Sequence, residues 1–438
     1  MGIIKILVLS QYWLPENGVP QRRWAWLTRI LQRNGHEVVV ACPPAHYERS
    51  VSIREWLQSA RPWNHFKLEK GPNEETVVRT GYFPVGRSLS SRILNQAAVA
   101  LSMMVFPVRI PKELEHYSPD LVIGTVPSLP TSVVTRAIAK KYRKPYVIDL
   151  RDAWPALLNV SDDWNSATGA PSLRERIARH GFLQSLSWLT EKAMNRVLKR
   201  ADGIITTSER LEEWLRIEHE SSAQSMTTIR NVFPPRTTYR KRGVQEGTQP
   251  LRVLYAGTLG RAQKLGNALE AARLAQDTGV PVKLRFVGDG AAWNELHDLA
   301  EKLGVDAEFR HRAAAEDLEE HYEWADTALV HLAGWEPLTR TIPSKTYELM
   351  SIGLHISAAV EGECADLIED LDAGHVVTPE APEELAELWA HLSAERSLLD
   401  TNRAGKNWVK NERDEVVPQR LLDFIAGIAS EDKCAFAQ

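Results

Sequence analysis

The chain has 438 residues, of which 43% are hydrophobic and 25% charged, and its formal net charge is −4 at pH 7. This length exceeds one ordinary core and predicts two domains of a globular protein, while the charge argues against nucleic acid as the main partner. Its three cysteines, Cys42, Cys364 and Cys434, lie far apart without a CxxC pair. They predict no zinc site and fit a reducing compartment.

The first half of the chain alternates predicted strands and helices. Residues 5–10 predict a buried strand and not a signal peptide, because Gln11, Pro15 and Glu16 follow too soon. A helix over 21–34, ended by Gly35, leads to a strand at 38–41. Strands are expected at 76–80, 120–124 and 145–148, with a helix over 129–141 and an irregular excursion over 43–73. This pattern predicts a parallel, doubly wound sheet that binds ligands at the carboxyl ends of its strands.

Residues 93–108 read ILNQAAVALSMMVFPV, with Arg87 and Arg92 before them and Arg109 and Lys112 after them. The stretch is shorter than the ~20 apolar residues of a membrane span, and its apolar residues do not keep to one helical face. A buried helix of the first domain is the favoured interpretation. The open alternative is a helix pressed into the membrane interface, with its basic flanks at the lipid headgroups.

The second half restarts the same alternation after a polar segment at 237–249, which is the predicted linker. Before this linker, a long helical stretch over 171–200 is followed by strands at 201–206 and 227–229. After the linker, apolar runs predict six strands with helices between most of them. These strands are expected at 251–255, 282–287, 307–309, 327–330, 354–358 and 375–377.

The segment at 342–353, IPSKTYELMSIG, predicts a helix start that binds a phosphate group. Pro343 fits the first helical position, and the free N–H groups and dipole of a helix start favour an anion. Lys345 adds a positive charge, and Glu348 can accept hydrogen bonds from a ribose diol, as acidic residues do in other nucleotide folds. An ordinary strand-loop-helix with a well-capped start is an equally weighted alternative.

Several sequence motifs together resemble those of the retaining glycosyltransferases of family 4, which have the GT-B fold. The second half carries YAGTLG at 255–260, FVGDG at 286–290, Ala325-Asp326, and PSKTYE at 343–348 with Gly353. In the first half, GVPQRR at 18–23 and DLRDAWP at 149–155 resemble a branch that builds bacterial surface polysaccharides. The resemblance implies two Rossmann-like α/β domains with doubly wound parallel sheets facing across a cleft. Residues 1–235 would bind the acceptor and 248–415 the nucleotide-sugar, with a last helix at about 416–438 packing back on the first domain.

The resemblance also implies roles for individual residues of the second domain. The loop 257–260 would approach the donor diphosphate closely, and Arg261 or Lys264 would neutralise it during catalysis. Gly288 and Gly290 would lie near the sugar or base, where a side chain would clash. The donor-binding residues implied are Gly18, Gly257, Thr258, Gly260, Gly288, Gly290, Arg312, Arg340, Thr341, Ser344, Lys345 and Glu348.

On the acceptor side, Asp152 is the candidate for a catalytic polar contact, with Arg151 close by. Arg22 and Arg23 are expected to meet an anionic acceptor such as a lipid diphosphate, although a solvated helix face would explain them equally simply. A departing phosphate oxygen can take the proton of the incoming hydroxyl, so no protein base is strictly required. The sequence Asp370-Leu371-Asp372 spells a metal motif of a different fold, but it follows a helix. No metal and no cofactor are predicted, since the nucleotide-sugar is a substrate.

One departure from the family pattern leaves alternatives open. The family often carries two glutamates eight residues apart, and Arg340 stands eight before Glu348, while Glu336 comes four residues earlier still. A different donor sugar, or a non-catalytic scaffold that binds nucleotide or membrane, would each accommodate this. A nucleotide-sugar 2-epimerase of the same fold is a further alternative, but it needs several acidic and histidine groups at the sugar, and the first half offers no convincing set. The main expectation is a cytoplasmic hexosyltransferase, peripheral on the inner face of the plasma membrane if 93–108 contacts lipid. Its donor would be UDP-linked, the commonest choice in the family, and its acceptor a lipid-linked or polysaccharide precursor.

Overall fold

The computed structural model describes residues 2–16, 18–46, 51–58, 66–84, 89–126, 128–154, 156–158, 182–218, 224–235, 237, 239, 250–312 and 317–435. Most of the predicted linker at 237–249 and the start of the helix expected over 171–200 lie outside these residues. The described parts form two α/β domains, each built around one sheet.

The first domain contains an 8-stranded sheet in the order β3-β4-β2-β1-β5-β6-β7-β8. All neighbouring strands are parallel except β3 and β4, which pair antiparallel at one edge. The central strands are buried on both faces because helices cover both sides of the sheet. The strands are β1 (Lys5–Leu9), β2 (Glu37–Cys42), β3 (Lys67–Lys70), β4 (Thr76–Arg79), β5 (Leu121–Val126), β6 (Tyr146–Leu150), β7 (Gly203–Thr206) and β8 (Ser225–Thr228).

Six helices of the first domain are described. They are α1 (Val19–Arg33), α2 (Ile53–Gln58), α3 (Leu89–Val105), α4 (Leu129–Tyr142), α5 (Phe182–Leu198) and α6 (Glu209–Glu218). Helix α1 begins after Gly18 with a proline in its first turn, and it buries Trp24, Leu27 and Leu31 against the sheet. Helix α2 and strand β3 correct the expectation of a wholly irregular excursion over 43–73. Strand β3 escaped prediction because KLEK is a short, mostly exposed edge strand without apolar alternation.

The second domain contains a 6-stranded, fully parallel sheet in the order β11-β10-β9-β12-β13-β14. The strand order reverses between β9 and β12, which is where open α/β sheets bind ligands. The strands are β9 (Leu251–Ala256), β10 (Val282–Val287), β11 (Ala307–Arg310), β12 (Thr327–His331), β13 (His355–Ala359) and β14 (Gly374–Val377). The helices are α7 (Gly266–Asp277), α8 (Trp293–Leu303), α9 (Leu318–Trp324), α10 (Ser344–Ile352), α11 (Glu363–Asp370), α12 (Pro382–Ala394), α13 (Ala404–Asn411) and α14 (Val417–Ala435).

The last helix, α14, crosses back to the first domain. Its Phe424 and Ile428 pack beside Gly203 of β7, where an added Cβ would come within 2.6 Å of the Phe424 ring. A short π-helical segment, Glu412–Val416, joins α13 to α14 without a break. The chain therefore links the two domains both before β9 and after α13.

A carboxylate of the second domain caps a helix of the first. Glu363 accepts hydrogen bonds from the backbone N–H groups of Glu209 (3.1 Å) and Arg210 (2.8 Å), in the first turn of α6. It also accepts one from the Arg230 guanidinium at 2.5 Å. A negative charge is favourable at a helix N-terminus, so this contact stabilises one relative placement of the two domains.

Candidate active site

The loops that follow the strands of the second sheet are joined to one another by backbone hydrogen bonds. Leu259 N–H, after β9, donates to Asp289 O after β10 at 3.1 Å. Ala333 N–H, after β12, donates to Ala262 O at 2.8 Å. These bonds hold the loops at the carboxyl edge of the sheet, next to the point where the strand order reverses. The edge is therefore a preformed surface for a ligand.

Gly288 and Gly290 are explained by the packing of these loops. A Cβ at Gly288 would overlap the carbonyl oxygen of Gly257, and one at Gly290 would overlap that of Leu259. Because both obstacles are backbone atoms, a side chain at either position would separate the two loops. This internal contact accounts for the glycines without the sugar or base that the sequence suggested. Gly260 differs, since its Cβ would meet a side-chain atom, Oε1 of Gln263, which can move.

Glu348 on α10 lies at the boundary between the domains and is 7% exposed. Its carboxylate accepts a hydrogen bond from the Tyr322 hydroxyl at 2.8 Å and one from Lys345 Nζ at 3.3 Å. The Arg22 guanidinium of the first domain lies 3.8 Å from Oε2. Burial alone would raise the pKa of Glu348, but Lys345, Tyr322 and Arg22 outweigh it and hold that pKa below its usual range. Glu348 is therefore ionised. In this state its carboxylate can accept hydrogen bonds from both hydroxyl groups of a diol.

Helix α10 begins one residue later than predicted, because Pro343 is its N-cap and Ser344 its first residue. Ser344 and Lys345 are partly buried, and Thr341 Oγ1 is buried with no hydrogen-bond partner among the described residues. Lys345 Nζ also lies 5.7 Å from the centre of the Tyr322 ring. The helix start thus brings a cation, a hydroxyl and a helix dipole to the same boundary as Glu348.

The remaining predicted donor cations lie on the loops after β9, β11 and β12. Lys264 Nζ is 3.6 Å from the carboxylate of Glu380, and Glu380 also accepts a hydrogen bond from Gly334 N–H at 3.1 Å. Arg261 is partly buried on the same loop as Thr258. Arg312 is exposed, and its backbone N–H donates to Asp289 Oδ2 at 3.2 Å. This backbone contact leaves the Arg312 loop fixed against the Gly288 loop.

Arg340 packs between the two domains. It is 7% exposed, pairs with Glu336, and places its guanidinium 4.5 Å from the centre of the Trp214 ring on α6. Its carbonyl oxygen accepts a hydrogen bond from Ser208 Oγ at 2.5 Å. Arg340 Nη1 is buried without a hydrogen-bond partner among the described residues. The residue that departs from the family pattern therefore joins α6 to the loop after β12.

Arg23 corrects an expectation about the acceptor side. Its side chain is 0% exposed and bonds to Asp149 at 2.9 Å, Ile229 O at 2.7 Å and Asn231 Oδ1 at 3.0 Å. Asp149 also accepts a hydrogen bond from Trp24 Nε1 at 2.8 Å. A fully buried guanidinium with these partners has no surface left for an acceptor. Arg23 is thus a structural residue that joins α1 to β6.

Arg22, Arg151 and Asp152 remain at the cleft. Arg22 is 16% exposed, donates to Pro234 O at 2.8 Å and stacks on Phe233 at 4.5 Å. Arg151 is mostly buried, and its Nε has no hydrogen-bond partner among the described residues. Burial raises the pKa of Asp152, against the opposing charge of Arg151. Two cations and one carboxyl group therefore lie at the carboxyl edge of the first sheet, and of the two cations Arg22 is the more exposed.

Three residues that contact the site or join the domains were not predicted from the sequence: Tyr322, Glu380 and Glu363. Each contacts a residue distant in sequence, and no local sequence pattern predicts such a contact.

Among the described residues, no group of three or more His, Cys, Asp or Glu side chains is placed to hold a metal ion. Of the DxD pair, Asp372 accepts a hydrogen bond from Asn402 at 3.0 Å.

Comparisons with known proteins identify two glycosyltransferase family models in the chain. Residues 18–231 match the family described as Glycosyl transferase 4-like domain, and 237–413 match Glycosyl transferases group 1. The Escherichia coli K12 protein WcaI, assigned as a glycosyl transferase of colanic acid biosynthesis, is 24% identical over 436 residues. That alignment covers 97% of this chain and 100% of WcaI.

Two solved structures are similar over almost the whole chain. Sucrose-phosphate synthase from Thermosynechococcus elongatus has a TM-score of 0.63 at 15% identity, covering 99% of this chain and 98% of its own. Anabaena HepE in complex with UDP-glucose has a TM-score of 0.61 at 16% identity, covering 97% of this chain and 100% of its own. At such identities the similarity establishes the two-domain fold.

Proposed function

The chain belongs to the family-4 glycosyltransferases of the GT-B fold, and from that membership we propose a retaining transfer of a hexose from UDP. The acceptor in this proposal is a lipid-linked or polysaccharide-precursor saccharide, and the reaction takes place on the cytoplasmic side of the membrane. Relatedness to WcaI supports a role in polysaccharide synthesis. A HepE structure holds UDP-glucose, which supports uridine as the base of the donor.

The observation that carries the donor assignment is the environment of Glu348. An ionised carboxylate lies four residues into a helix whose start also brings Lys345. The carboxylate has capacity for a ribose diol beyond its bond from Tyr322, since each oxygen accepts two hydrogen bonds. The helix start and Lys345 favour the adjacent diphosphate. One side chain and one helix end thus suit the two halves of a nucleoside diphosphate.

The chemistry follows from where charge develops. The bond between the anomeric carbon and the diphosphate oxygen breaks, a bond to the acceptor oxygen forms on the same face, and the hydroxyl proton passes to the departing phosphate. Lys345, Arg261 and Lys264 stabilise the negative charge that grows on the diphosphate. Lys264 must exchange part of its attraction to Glu380 for the phosphate, because the two are 3.6 Å apart. Asp152 contacts the sugar or the acceptor hydroxyl.

The acceptor assignment rests on the cations of the first domain. Arg22 lies 3.8 Å from Glu348 at the domain boundary, and Arg151 follows β6 at the carboxyl edge of the first sheet. Arginine binds phosphate oxygens bidentately, so this pair suits the diphosphate of a lipid-linked acceptor.

Donor binding is tested by thermal unfolding against UDP-, GDP-, ADP- and dTDP-sugars without added metal. A ligand that binds only the folded state raises the midpoint as its concentration exceeds its Kd. We expect a shift with uridine nucleotides alone, and its loss in Glu348→Ala. The matched control is Glu270→Ala, which removes an exposed glutamate on α7 and should keep the shift. No shift with any nucleotide at millimolar concentration would contradict the proposal.

Retention is tested on the product. NMR of the new glycosidic linkage should show the anomeric configuration of the donor, and an inverted linkage would contradict the proposed mechanism. Release of a sugar nucleotide with altered configuration at C2, without transfer, would identify the epimerase alternative instead.

A further inference from the structure

Helix α3 presents an apolar stripe to solvent on the side opposite its buried face. The stripe consists of Leu94, Ala97, Leu101 and Met104 on α3 and of Val108 in the 3-10 turn Phe106–Val108 that follows it, spaced three or four residues apart. The four positions on α3 share one helical face about 15 Å long. Leu101 is 65% exposed and Val108 is 72% exposed. An exposed, continuous apolar face of this kind marks an interaction surface.

The inner face of α3 belongs to the first domain. Val99, Met103 and Phe106 are at most 1% exposed and pack in the core. Two polar groups on this face are bonded within the domain: Asn95 Oδ1 accepts a hydrogen bond from Gln11 Nε2 at 3.0 Å, and Ser102 Oγ accepts one from Gly81 N–H at 2.6 Å. By length and composition Ser91–Val108 is apolar enough to cross a membrane, and 33% of it is buried. Its packing and its bonded polar groups hold it lengthwise on the domain, which suits a helix lying in a surface.

Charge identifies what covers the stripe. The sequence from 89 to 112 contains three basic residues, Arg92, Arg109 and Lys112, and no acidic one, in a chain whose net charge is −4; exposed Glu113 and Glu115 follow Lys112. All three are exposed and lie at or just beyond the two ends of the stripe. Cations flanking an apolar helix face fit the anionic headgroups of a bilayer, with the apolar residues at the acyl boundary.

A second copy of the chain fits this surface less well. In a two-fold symmetric dimer, each stripe would pack on its counterpart. Arg92 would then face the basic group of the other copy, whether the two helices ran parallel or antiparallel. An anionic lipid surface meets the same groups with opposite charge.

We infer that α3 and the 3-10 turn after it dock the protein onto an anionic membrane surface through Leu94, Ala97, Leu101, Met104 and Val108. The Gln11–Asn95 hydrogen bond joins this helix to the carboxyl end of β1, which borders the cleft. Docking therefore holds the acceptor side of the cleft near the lipid surface. The second consequence, delivery of a lipid-linked acceptor, rests on the proposed function, whereas the docking itself does not.

The test is flotation of the full chain with vesicles of phosphatidylcholine, alone or with about 30% phosphatidylglycerol, at low and high salt. We expect binding to the anionic vesicles and its weakening by salt, because exposed charges are screened. Leu101→Glu should weaken vesicle binding about tenfold or more, since it places a charge in the apolar stripe. Arg92→Glu should weaken it less, and mainly at low salt.

The matched control is Ile217→Glu, which changes an apolar residue of α6 that is 72% exposed and outside the stripe. It should bind vesicles like the unchanged protein. All variants are also measured for the thermal shift with UDP, which the stripe variants should keep, so a folding defect is recognised separately. Two results would overturn the docking: no flotation of the unchanged protein while UDP still binds, or a dimer that Leu101→Glu converts to monomers. A protein that floats but binds no nucleotide would instead contradict only the proposed donor.

Discussion

Arg22 and Arg23 follow one another on α1 and both lie near a carboxylate, but their surroundings differ. Arg23 bonds to Asp149 at 2.9 Å, and both side chains are fully buried. Arg22 lies 3.8 Å from Glu348, is 16% exposed, and reaches from one domain to the other. The first pair joins two elements of one core, whereas the second spans the cleft where substrates are proposed to bind.

The helix itself produces this difference. Successive residues of an α-helix are rotated by about 100°, so Arg22 lies about 200° around the helix from Trp24, whereas Arg23 lies about 100° from it. Arg23 shares the side of Trp24 and Leu27, which face the sheet. A buried guanidinium with a carboxylate partner is tolerated because hydrogen bonds offset its loss of solvent. Arg22 stays partly exposed at the domain boundary.

The largest effect is expected for Arg23→Met. Removing one partner of a buried ion pair leaves Asp149 charged in the core, which costs about 3 to 5 kcal/mol. The change should lower the thermal midpoint by many degrees, and the urea midpoint with it. Arg22→Met serves as the control, because it removes an arginine from the adjacent position without burying a charge. Equal stability of the two variants would break the distinction drawn between the two residues.

The limits of the sequence are visible at these same residues. Short apolar runs predicted every strand of both sheets except β3, because strands buried on both faces are apolar along their whole length. The sequence treated Arg22 and Arg23 alike, because the side of α1 that faces the core depends on contacts with β6 and β8. Tyr322 was missed because it meets Glu348 only after β12 and its loop have folded between them. The sequence could not distinguish the exposed face of α3 from its buried face, because the helix is apolar on both sides.

A second expected effect concerns Gly288→Ala. This variant tests whether Gly288 is needed for the packing of the two loops or for direct contact with the ligand. The added methyl group would overlap the Gly257 carbonyl and push two donor loops apart. We expect a loss of about 2 to 3 kcal/mol of stability, measured by urea unfolding, together with weaker UDP binding. Gly260→Ala should have a much smaller effect, since the Gln263 side chain can move. If Gly288→Ala lost UDP binding at unchanged stability, the glycine would serve the ligand directly.

A third prediction concerns the stability contributed by Glu348 and its dependence on pH. Its pKa is lowered in the folded protein, so its stabilising effect is complete above the unfolded value, about 4.3. The effect disappears as the pH falls through the lower, folded value. We therefore expect Glu348→Gln to be less stable than the unchanged protein at pH 7, by about 1.5 kcal/mol. The difference should shrink only below about pH 4, as measured by unfolding across pH. A difference that already vanished at pH 6 would contradict a lowered pKa.

The smallest effect on stability, and the most specific effect on function, is expected for Arg22→Met. Because the Arg22–Glu348 pair is long and at the cleft, its loss should cost less than about 1 kcal/mol. If Arg22 binds an anionic acceptor, kinetics should show the acceptor KM rising about tenfold, the usual effect of losing a charge-assisted hydrogen bond. The donor Kd should change less than about threefold, because Tyr322 and Lys345 still hold Glu348 in place. Arg22→Lys keeps the charge but loses the bidentate geometry, so its acceptor KM should lie between that of the unchanged protein and that of Arg22→Met. A raised donor Kd with an unchanged acceptor KM would assign Arg22 to the donor and leave Arg151 as the acceptor cation of the first domain.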